Sequence, residues 1–164
     1  GRIRRLTGIR QCLEEHGLPE DHLEILSTSR KEFAKYPGDR AEYQNGYDRT
    51  IEALQNGTVS TAFIGNNDMT ALGIMDAIAE LGYKIPFDYS VCGFDNIPLA
   101  SMKQISLTTI EHATVQKGHE AVDLIHKKHS QDHSGRQPSY TVRLEYEPQL
   151  IVRNSTGKCR KNLR

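Results

Sequence analysis

The sequence predicts an α/β fold, an open and mostly parallel sheet flanked by helices, and three observations carry this prediction. Residues 61–65 are a short apolar run that suits a buried strand, and residues 90–94 are a second such run. Between them, apolar residues recur at helical spacing until Gly82, with Asp68 placed to cap the helix. Strand, helix, strand connections are right-handed crossovers, so the two strands are expected to be parallel.

Three elements are predicted before this central unit. Residues 2–16 carry apolar side chains at helical spacing and stop at Gly17. Residues 23–27 are a β-type run, and residues 29–40 form a loop that contains a turn signal. Residues 41–55 predict a helix with one apolar face, made of Tyr43, Tyr47, Ile51 and Leu54.

Four elements are predicted after it. Residues 107–110 suit a strand, and residues 140–145 and 150–152 suit two antiparallel edge strands. Residues 113–129 predict a helix, and the basic residues after 152 are expected to be disordered and dispensable for folding. The helix is expected to face inward through Val115, Gly118, Val122 and Ile125.

Composition and charge narrow the class of protein. The 164 residues include 21 basic and 21 acidic side chains. A net charge of zero argues against nucleic-acid binding across the whole surface of the protein. No apolar run approaches the roughly 20 residues of a membrane-spanning helix. The three cysteines, Cys12, Cys92 and Cys159, lie far apart in the sequence, which suits a reducing compartment and predicts a cytoplasmic protein.

Two polar clusters follow the central strands. Asn66, Asn67 and Asp68 come after the first strand, and Asp95 and Asn96 after the second. In an open parallel sheet, ligands bind beyond the carboxyl ends of the strands, where both clusters are expected to lie. Carboxylates and amides there suit a sugar or another polar small molecule. The alternative is that these residues only cap a helix and form turns.

Arg5 adds a cation to the first turn of the first predicted helix, where the helix dipole opposes a positive charge. It is either a solvated surface residue or a residue that reaches into the crevice.

Neither a metal site nor a catalytic site is predicted. His112, His119, His126 and His133 recur every seven residues, but a structural zinc site needs four converging ligands, and no cysteine lies nearby. The sequence has no nucleophile elbow, no Walker loop and no glycine-rich dinucleotide motif. We therefore expect a protein that binds its ligand without a cofactor and is not an enzyme.

Three segments together resemble the lactose-repressor/galactose-repressor (LacI/GalR) family of bacterial transcription regulators, and their order and spacing make the resemblance specific. They are Arg5-Leu-Thr-Gly8, Thr61-Ala-Phe-Ile-Gly-Asn-Asn-Asp-Met-Thr-Ala-Leu-Gly73, and Ser90-Val-Cys-Gly-Phe-Asp-Asn96 followed by Leu107-Thr-Thr-Ile110.

The resemblance implies a type I periplasmic-binding-protein fold, with two α/β lobes, the effector in the cleft between them, and homodimers. Residues 1–104 would be the second lobe without its first strand, and residues 105–138 a strand and helix of the first lobe. Residues 139–152 would be returning edge strands, and residues 153–164 a basic disordered tail. The helix-turn-helix that binds operator DNA, and most of the first lobe, would precede Gly1.

The resemblance also implies a site and a function. Arg5, Asn67 and Asp95 match family positions that contact the effector, and the further candidates are Asn66, Asp68, Asn96 and Tyr43. The expected function is binding of a sugar or sugar phosphate that modulates DNA binding in the cytoplasm. The alternative is an extracytoplasmic sugar-binding protein of a transporter, because the two classes share a fold.

Overall fold

The computed structural model of the chain describes residues 2–36, 38–131 and 141–159. The helices are α1 Arg2–Glu15, α2 Arg30–Phe33, α3 Ala41–Gln55, α4 Asp68–Glu80 and α5 Thr114–Gln131. The strands are β1 Ala62–Ile64, β2 Ser90–Cys92, β3 Thr109–Glu111 and β4 Gln149–Ile151. Single-turn 3-10 helices lie at Glu20–His22, Gly38–Arg40 and Pro98–Ser101.

The central strand, helix, strand unit forms as predicted. Strands β1 and β2 are parallel, with Phe63 opposite Val91, and α4 connects them. Gly82 follows the C-cap of α4 with a φ of 82°, a conformation in which a side chain would be strained. The cap of α4 differs from the prediction. Asn67 is the N-cap, its side chain accepting from Thr70, and Asp68 is the first helical residue.

The core lies where strands β1 and β2 pack against helices α3 and α4. Its buried side chains are Leu54, Phe63, Ala71, Ile74, Ile78, Tyr89, Val91, Ala100 and Leu107. The two helices approach so closely that glycine is required on both. A Cβ at Gly46 would lie 2.3 Å from the Thr70 carbonyl oxygen, and one at Gly73 would lie 2.0 Å from the Tyr43 carbonyl oxygen. The backbones are therefore nearly in contact.

This close approach corrects the predicted apolar face of α3. The buried residues of α3 are mostly small: Ala41, Gly46, Thr50, Ala53 and Leu54. No ring fits between helices at this distance, so Tyr43 and Tyr47 lie at the edge of the contact. Their hydroxyls donate to the carboxylates of Asp76 and Glu80 on α4.

Strands β3 and β4 form a second, antiparallel sheet, joined to the first by a parallel bridge between Cys92 and Thr108. The strands predicted at 107–110 and 150–152 are thus confirmed within a residue or two. A strand is predicted at 140–145, but residues 141–145 form no strand in the described chain, so the prediction is wrong there. Tyr140 lies outside the described residues. An alternating pattern needs a neighbouring strand, and β4 pairs with β3 instead.

Two further predictions fail in a related way. Residues 23–27 have extended backbone at their start but form no strand, because the described residues offer them no pairing partner. Helix α5 forms as predicted, but its expected inward face is exposed, with Val115 89%, Val122 65% and Ile125 69% accessible. In both places the sequence pattern requires a neighbouring surface that the described residues do not supply.

The segment after β4 also differs from the expected disordered tail. Ser155 is buried, its hydroxyl donates to the Val91 carbonyl at 2.6 Å, and it accepts from the Thr108 amide at 2.7 Å. Its backbone pairs with Val91 and Ser106. Residues 153–157 therefore connect β2 to the start of β3, while residues 160–164 lie outside the described part.

Replacing Ser155 with alanine is expected to lower the free energy of unfolding by about 1–3 kcal/mol, because the buried Thr108 amide loses its acceptor. Urea unfolding followed by circular dichroism measures the loss. Ser101→Ala is the control, since that hydroxyl is exposed and donates to the nearby Pro98 carbonyl. Equal stability of the two variants would mean that the segment is a loose tail after all.

Candidate functional site

The loops after β1 and β2 meet at one edge of the sheet, as the sequence predicts. The Gly65 amide donates to the Cys92 carbonyl at 2.8 Å, and the Asp68 amide donates to the Phe94 carbonyl at 2.8 Å. The Asp95 amide in turn donates to the Ile110 carbonyl at 2.9 Å. Because these bonds join the loop after β1 to the loop after β2, and that loop to strand β3, the polar clusters that follow β1 and β2 form one continuous surface.

Arg5 reaches this surface from α1. Its guanidinium carbon lies 3.5 Å from the centre of the Phe94 ring, and its Nη1 donates to the Asn66 carbonyl. A guanidinium stacked on a ring is desolvated on that face while its remaining N–H groups stay available. Arg5 is therefore half-buried against Phe94 and is not a fully solvated surface residue, and its contact with an effector stays a prediction.

The two asparagines after β1 have different surroundings. Asn67 is half-buried, and its Oδ1 accepts from the backbone and hydroxyl of Thr70, which leaves its Nδ2 as the group that can donate to a ligand. Asn66 is exposed, and its carbonyl is the group that Arg5 contacts. Both asparagines lie where the sequence places them, and their contact with an effector remains a prediction.

Asp68 is placed differently from the other candidates, because it is completely buried. Its Oδ1 accepts from the Thr109 hydroxyl at 2.5 Å, and its Oδ2 accepts from the Ile97 amide at 2.8 Å. A side chain at Gly93 would collide with the same carboxylate, since its Cβ would lie 2.1 Å from Oδ1. Asp68, at the start of α4, therefore connects the loop after β2 to the start of β3 from inside, and it is not accessible to a ligand.

The Asp95–Asn96 turn carries the accessible carboxylate. Both residues have positive φ, 118° and 51°, which is uncommon for residues other than glycine and marks a backbone held by its surroundings. The side chain of Asp95 is 36% exposed, and its Oδ1 lies 3.1 Å from His112 Nε2. One carboxylate oxygen thus has a protein partner, and Oδ2 can accept from a ligand.

Asn96 is held within the protein by two charged side chains. Its Nδ2 donates to Glu111 at 3.0 Å, and its Oδ1 accepts from Arg153 Nη2 at 2.7 Å. The bond from the Asn96 amide lowers the pKa of Glu111, which keeps that carboxylate ionised as an acceptor. Arg153 also donates to the Leu107 carbonyl at 2.7 Å. Because both polar ends of its side chain are engaged, Asn96 supports the turn.

The Tyr43 hydroxyl is engaged by α4. It donates to Asp76, two turns into α4 from Asn67, and this bond raises the pKa of Tyr43 to about 12. The ring therefore belongs to the contact between α3 and α4.

Three residues of this surface were not predicted as site residues from the sequence. Phe94 lies in the predicted strand after residue 90, His112 follows the strand predicted at 107–110, and Arg153 lies at the start of the expected tail. His112 could have been found, because the rule that selected the residues after β1 and β2 also applies to the next strand. No sequence signal marks Arg153, whose partners are 46 and 57 residues away.

The surface suits recognition of a polar molecule. It offers a carboxylate, a guanidinium and amide groups, whereas the nearby Cys92 thiol has its pKa raised, mainly by burial, and stays protonated. Within residues 2–36, 38–131 and 141–159, no three His, Cys, Asp or Glu side chains are grouped as a metal site would need. His133 lies outside those residues.

In the same ranges no helix combines the length and the apolar character required to cross a membrane.

Known proteins resemble this chain in sequence and in fold. The family model described as periplasmic binding protein-like domain matches residues 1–156. An arabinose metabolism transcriptional repressor of Halalkalibacterium halodurans is 34% identical over 61% of this chain and 27% of its own length. The HTH-type transcriptional regulator DegA of Bacillus subtilis is 30% identical over 96% of this chain and 42% of its own length.

Solved structures agree with these matches. A LacI family transcriptional regulator from Enterococcus faecium with bound ribose superposes with a TM-score of 0.72 at 27% identity, covering 93% of this chain and 50% of that one. A LacI-family regulator from Corynebacterium glutamicum superposes with a TM-score of 0.69 at 32% identity, covering 94% and 53%. The chain thus spans about half, or less, of the length of these relatives. The predicted fold class is confirmed, and the chain belongs to the periplasmic binding protein-like domain family, among the LacI-family transcription regulators.

Proposed function

We propose that this chain is the effector-binding and dimerisation region of a bacterial transcription regulator that works in the cytoplasm. A sugar or related small molecule binds in a cleft lined by the surface described above and modulates operator binding by an N-terminal helix-turn-helix outside this chain. The observation that carries the proposal is the half-exposed Asp95 carboxylate, placed at the same sheet edge as the Arg5 guanidinium.

The chemistry of that edge favours a polyhydroxylated effector. A carboxylate oxygen can accept from one or two hydroxyls, and the Asn67 amide and the Arg5 guanidinium can donate to ring or hydroxyl oxygens. Arg5 would also balance the charge of a phosphate ester. The ribose in the Enterococcus faecium regulator supports a sugar as the class of ligand to test first.

The relatives favour regulation over the alternative of a transport-associated sugar-binding protein, because those named above are transcriptional regulators. The local chemistry favours binding over catalysis. A nucleophile needs an adjacent base, and the one cysteine of the sheet edge, Cys92, carries a thiol with raised pKa.

Asp95→Ala is expected to weaken binding of the effector about ten- to a hundredfold with little loss of stability, because one charge-assisted hydrogen bond is worth about 1.5–3 kcal/mol. Calorimetric titration with pentoses, hexoses and their phosphate esters first identifies a sugar that binds the unmodified protein. The variant is then titrated with the same sugar.

Asp123→Ala is the matched control, since Asp123 also pairs with a histidine, His119, but lies on the exposed surface of α5. Its affinity should equal that of the unmodified protein. An unchanged dissociation constant for Asp95→Ala would remove Asp95 from the site. Failure of every sugar to bind the unmodified protein would refute the proposed effector class.

A further inference from the structure

His112 lies at the junction of β3 and α5, beside the accessible carboxylate. Its Nε2 is 3.1 Å from Asp95 Oδ1, and its side chain is 28% exposed. On the opposite side of the ring, Nδ1 is 3.2 Å from Lys117 Nζ and 3.5 Å from the Thr114 hydroxyl. Each ring nitrogen of His112 therefore has its own polar partner.

These partners fix where the imidazole carries its proton. A lysine ammonium can only donate, so His112 Nδ1 must accept from Lys117. A neutral imidazole that accepts at Nδ1 carries its hydrogen on Nε2, the nitrogen that faces Asp95. His112 therefore donates to Asp95 Oδ1, and Lys117 on the first turns of α5 sets the direction of that bond.

Packing and backbone conformation hold the ring in this orientation. The imidazole stacks on Phe94, with ring centres 5.3 Å apart and an angle of 27° between the planes. The same Phe94 ring carries the Arg5 guanidinium. Ala113, which follows His112, has a φ of 57°, a conformation that costs a residue with a side chain roughly 1–2 kcal/mol. Such strain persists only where the surrounding structure enforces it.

We propose that His112 is a positioning residue of the effector site. By donating to Oδ1, it fixes the rotamer of Asp95 and leaves Oδ2 directed at the effector, so that one hydroxyl of the effector meets a preorganised acceptor. This inference rests on the proposed function, because it assigns His112 a role in the same site. It extends that site to the start of α5, beyond the loops that follow β1 and β2.

Two variants distinguish the contribution of the His112 N–H donor to binding from that of its aromatic ring. His112→Phe keeps an aromatic ring to stack on Phe94 but removes the bond to Asp95 Oδ1, and it should weaken binding of the tightest sugar about tenfold. His112→Gln restores a side-chain N–H and should regain part of that affinity. His119→Phe is the control, because His119 has a similar contact with Asp123 but is 77% exposed. Its affinity should not change.

A second measurement needs no effector. Nitrogen NMR of the unliganded protein near neutral pH distinguishes the two imidazole tautomers, and His112 is expected to carry its proton on Nε2. A proton on Nδ1 would overturn the inference. If a sugar binds and His112→Phe binds it as tightly as the unmodified protein, the inference is also overturned, and the proposed function stands. If no sugar binds the unmodified protein, the proposed function fails and His112 loses its assigned role, whatever the tautomer.

Discussion

Replacing Gly73 with alanine is expected to lower the free energy of unfolding by about 3 kcal/mol or more, at or above the upper end of the usual cost of overpacking. The added Cβ would lie 2.0 Å from the Tyr43 carbonyl oxygen and 2.9 Å from the Tyr47 amide nitrogen. Both are backbone atoms of α3, so no side-chain rotation relieves the overlap. Helices α3 and α4 would have to move apart and open the core.

Gly118→Ala is the matched control for this variant. Gly118 also lies within a helix, α5, but among the described residues a Cβ there meets nothing within 4 Å. Because alanine is the better helix former, this variant should gain about 0.5–1 kcal/mol. Urea unfolding of both variants measures the difference. A Gly73→Ala protein as stable as the Gly118→Ala protein would show that the two helices are not in close contact.

Asp68→Ala is expected to cost about 3–5 kcal/mol, a large part of the roughly 5–15 kcal/mol that stabilises a typical domain. The substitution removes the acceptor of two donors, the buried Thr109 hydroxyl and the half-buried Ile97 amide, and an unsatisfied buried donor costs about 1–3 kcal/mol. The loops after β1 and β2 and the start of β3 would lose their common partner. Chemical denaturation measured at neutral pH gives the loss.

Two further substitutions test the cause of that loss. Asp68→Asn keeps one acceptor oxygen, but it places an NH₂ group opposite one of the two donors that the carboxylate satisfies. The stability of this variant should therefore fall between those of the unmodified protein and Asp68→Ala. Asp21→Ala removes an exposed carboxylate and should change stability by no more than about 0.5 kcal/mol. If Asp68→Ala lowers effector affinity but not stability, Asp68 is a ligand contact, as its place after β1 in the sequence suggests.

The elements that the sequence predicts best are those with signals at both ends. Helix α4 has a polar cap before it, helical spacing within it and Gly82 after it, and it forms within a residue of the prediction. Which polar residue caps it depends on depth in the fold. The buried Asp68 carboxylate accepts from Thr109 and Ile97, so the cap falls to Asn67.

The predictions that fail depend on residues far away in the sequence. Residues 23–27 have the composition of a strand, but a strand exists only with a partner. The apolar stripe of α5 predicts a buried face, yet Val115 is 89% exposed because none of the described residues covers it. Ser155 looks like part of a polar tail, and only the fold brings it to Val91 and Thr108.

The residues of the candidate site also fall into those that the sequence predicts and those that depend on distant parts of the chain. The rule that ligands bind beyond the ends of parallel strands selects Asn67 and Asp95, and the structure brings their loops together. The same rule cannot separate Asp95, whose carboxylate is partly exposed, from Asp68, whose carboxylate is buried, because burial depends on β3 and on the turn after β2. Long-range contacts such as Arg153 to Asn96 appear only in three dimensions.

The central claim, that an effector binds at the edge formed by these loops, is tested most directly by mapping its position. The ¹⁵N-labelled protein is titrated with the sugar that binds most tightly, and amide and guanidinium NMR signals are followed to saturation. The largest shifts are expected on Arg5, Asn67 and residues 94–96, with His112 beside them. Saturable shifts confined to the outer surface of α3 and α4, with none at Asp95, would contradict it.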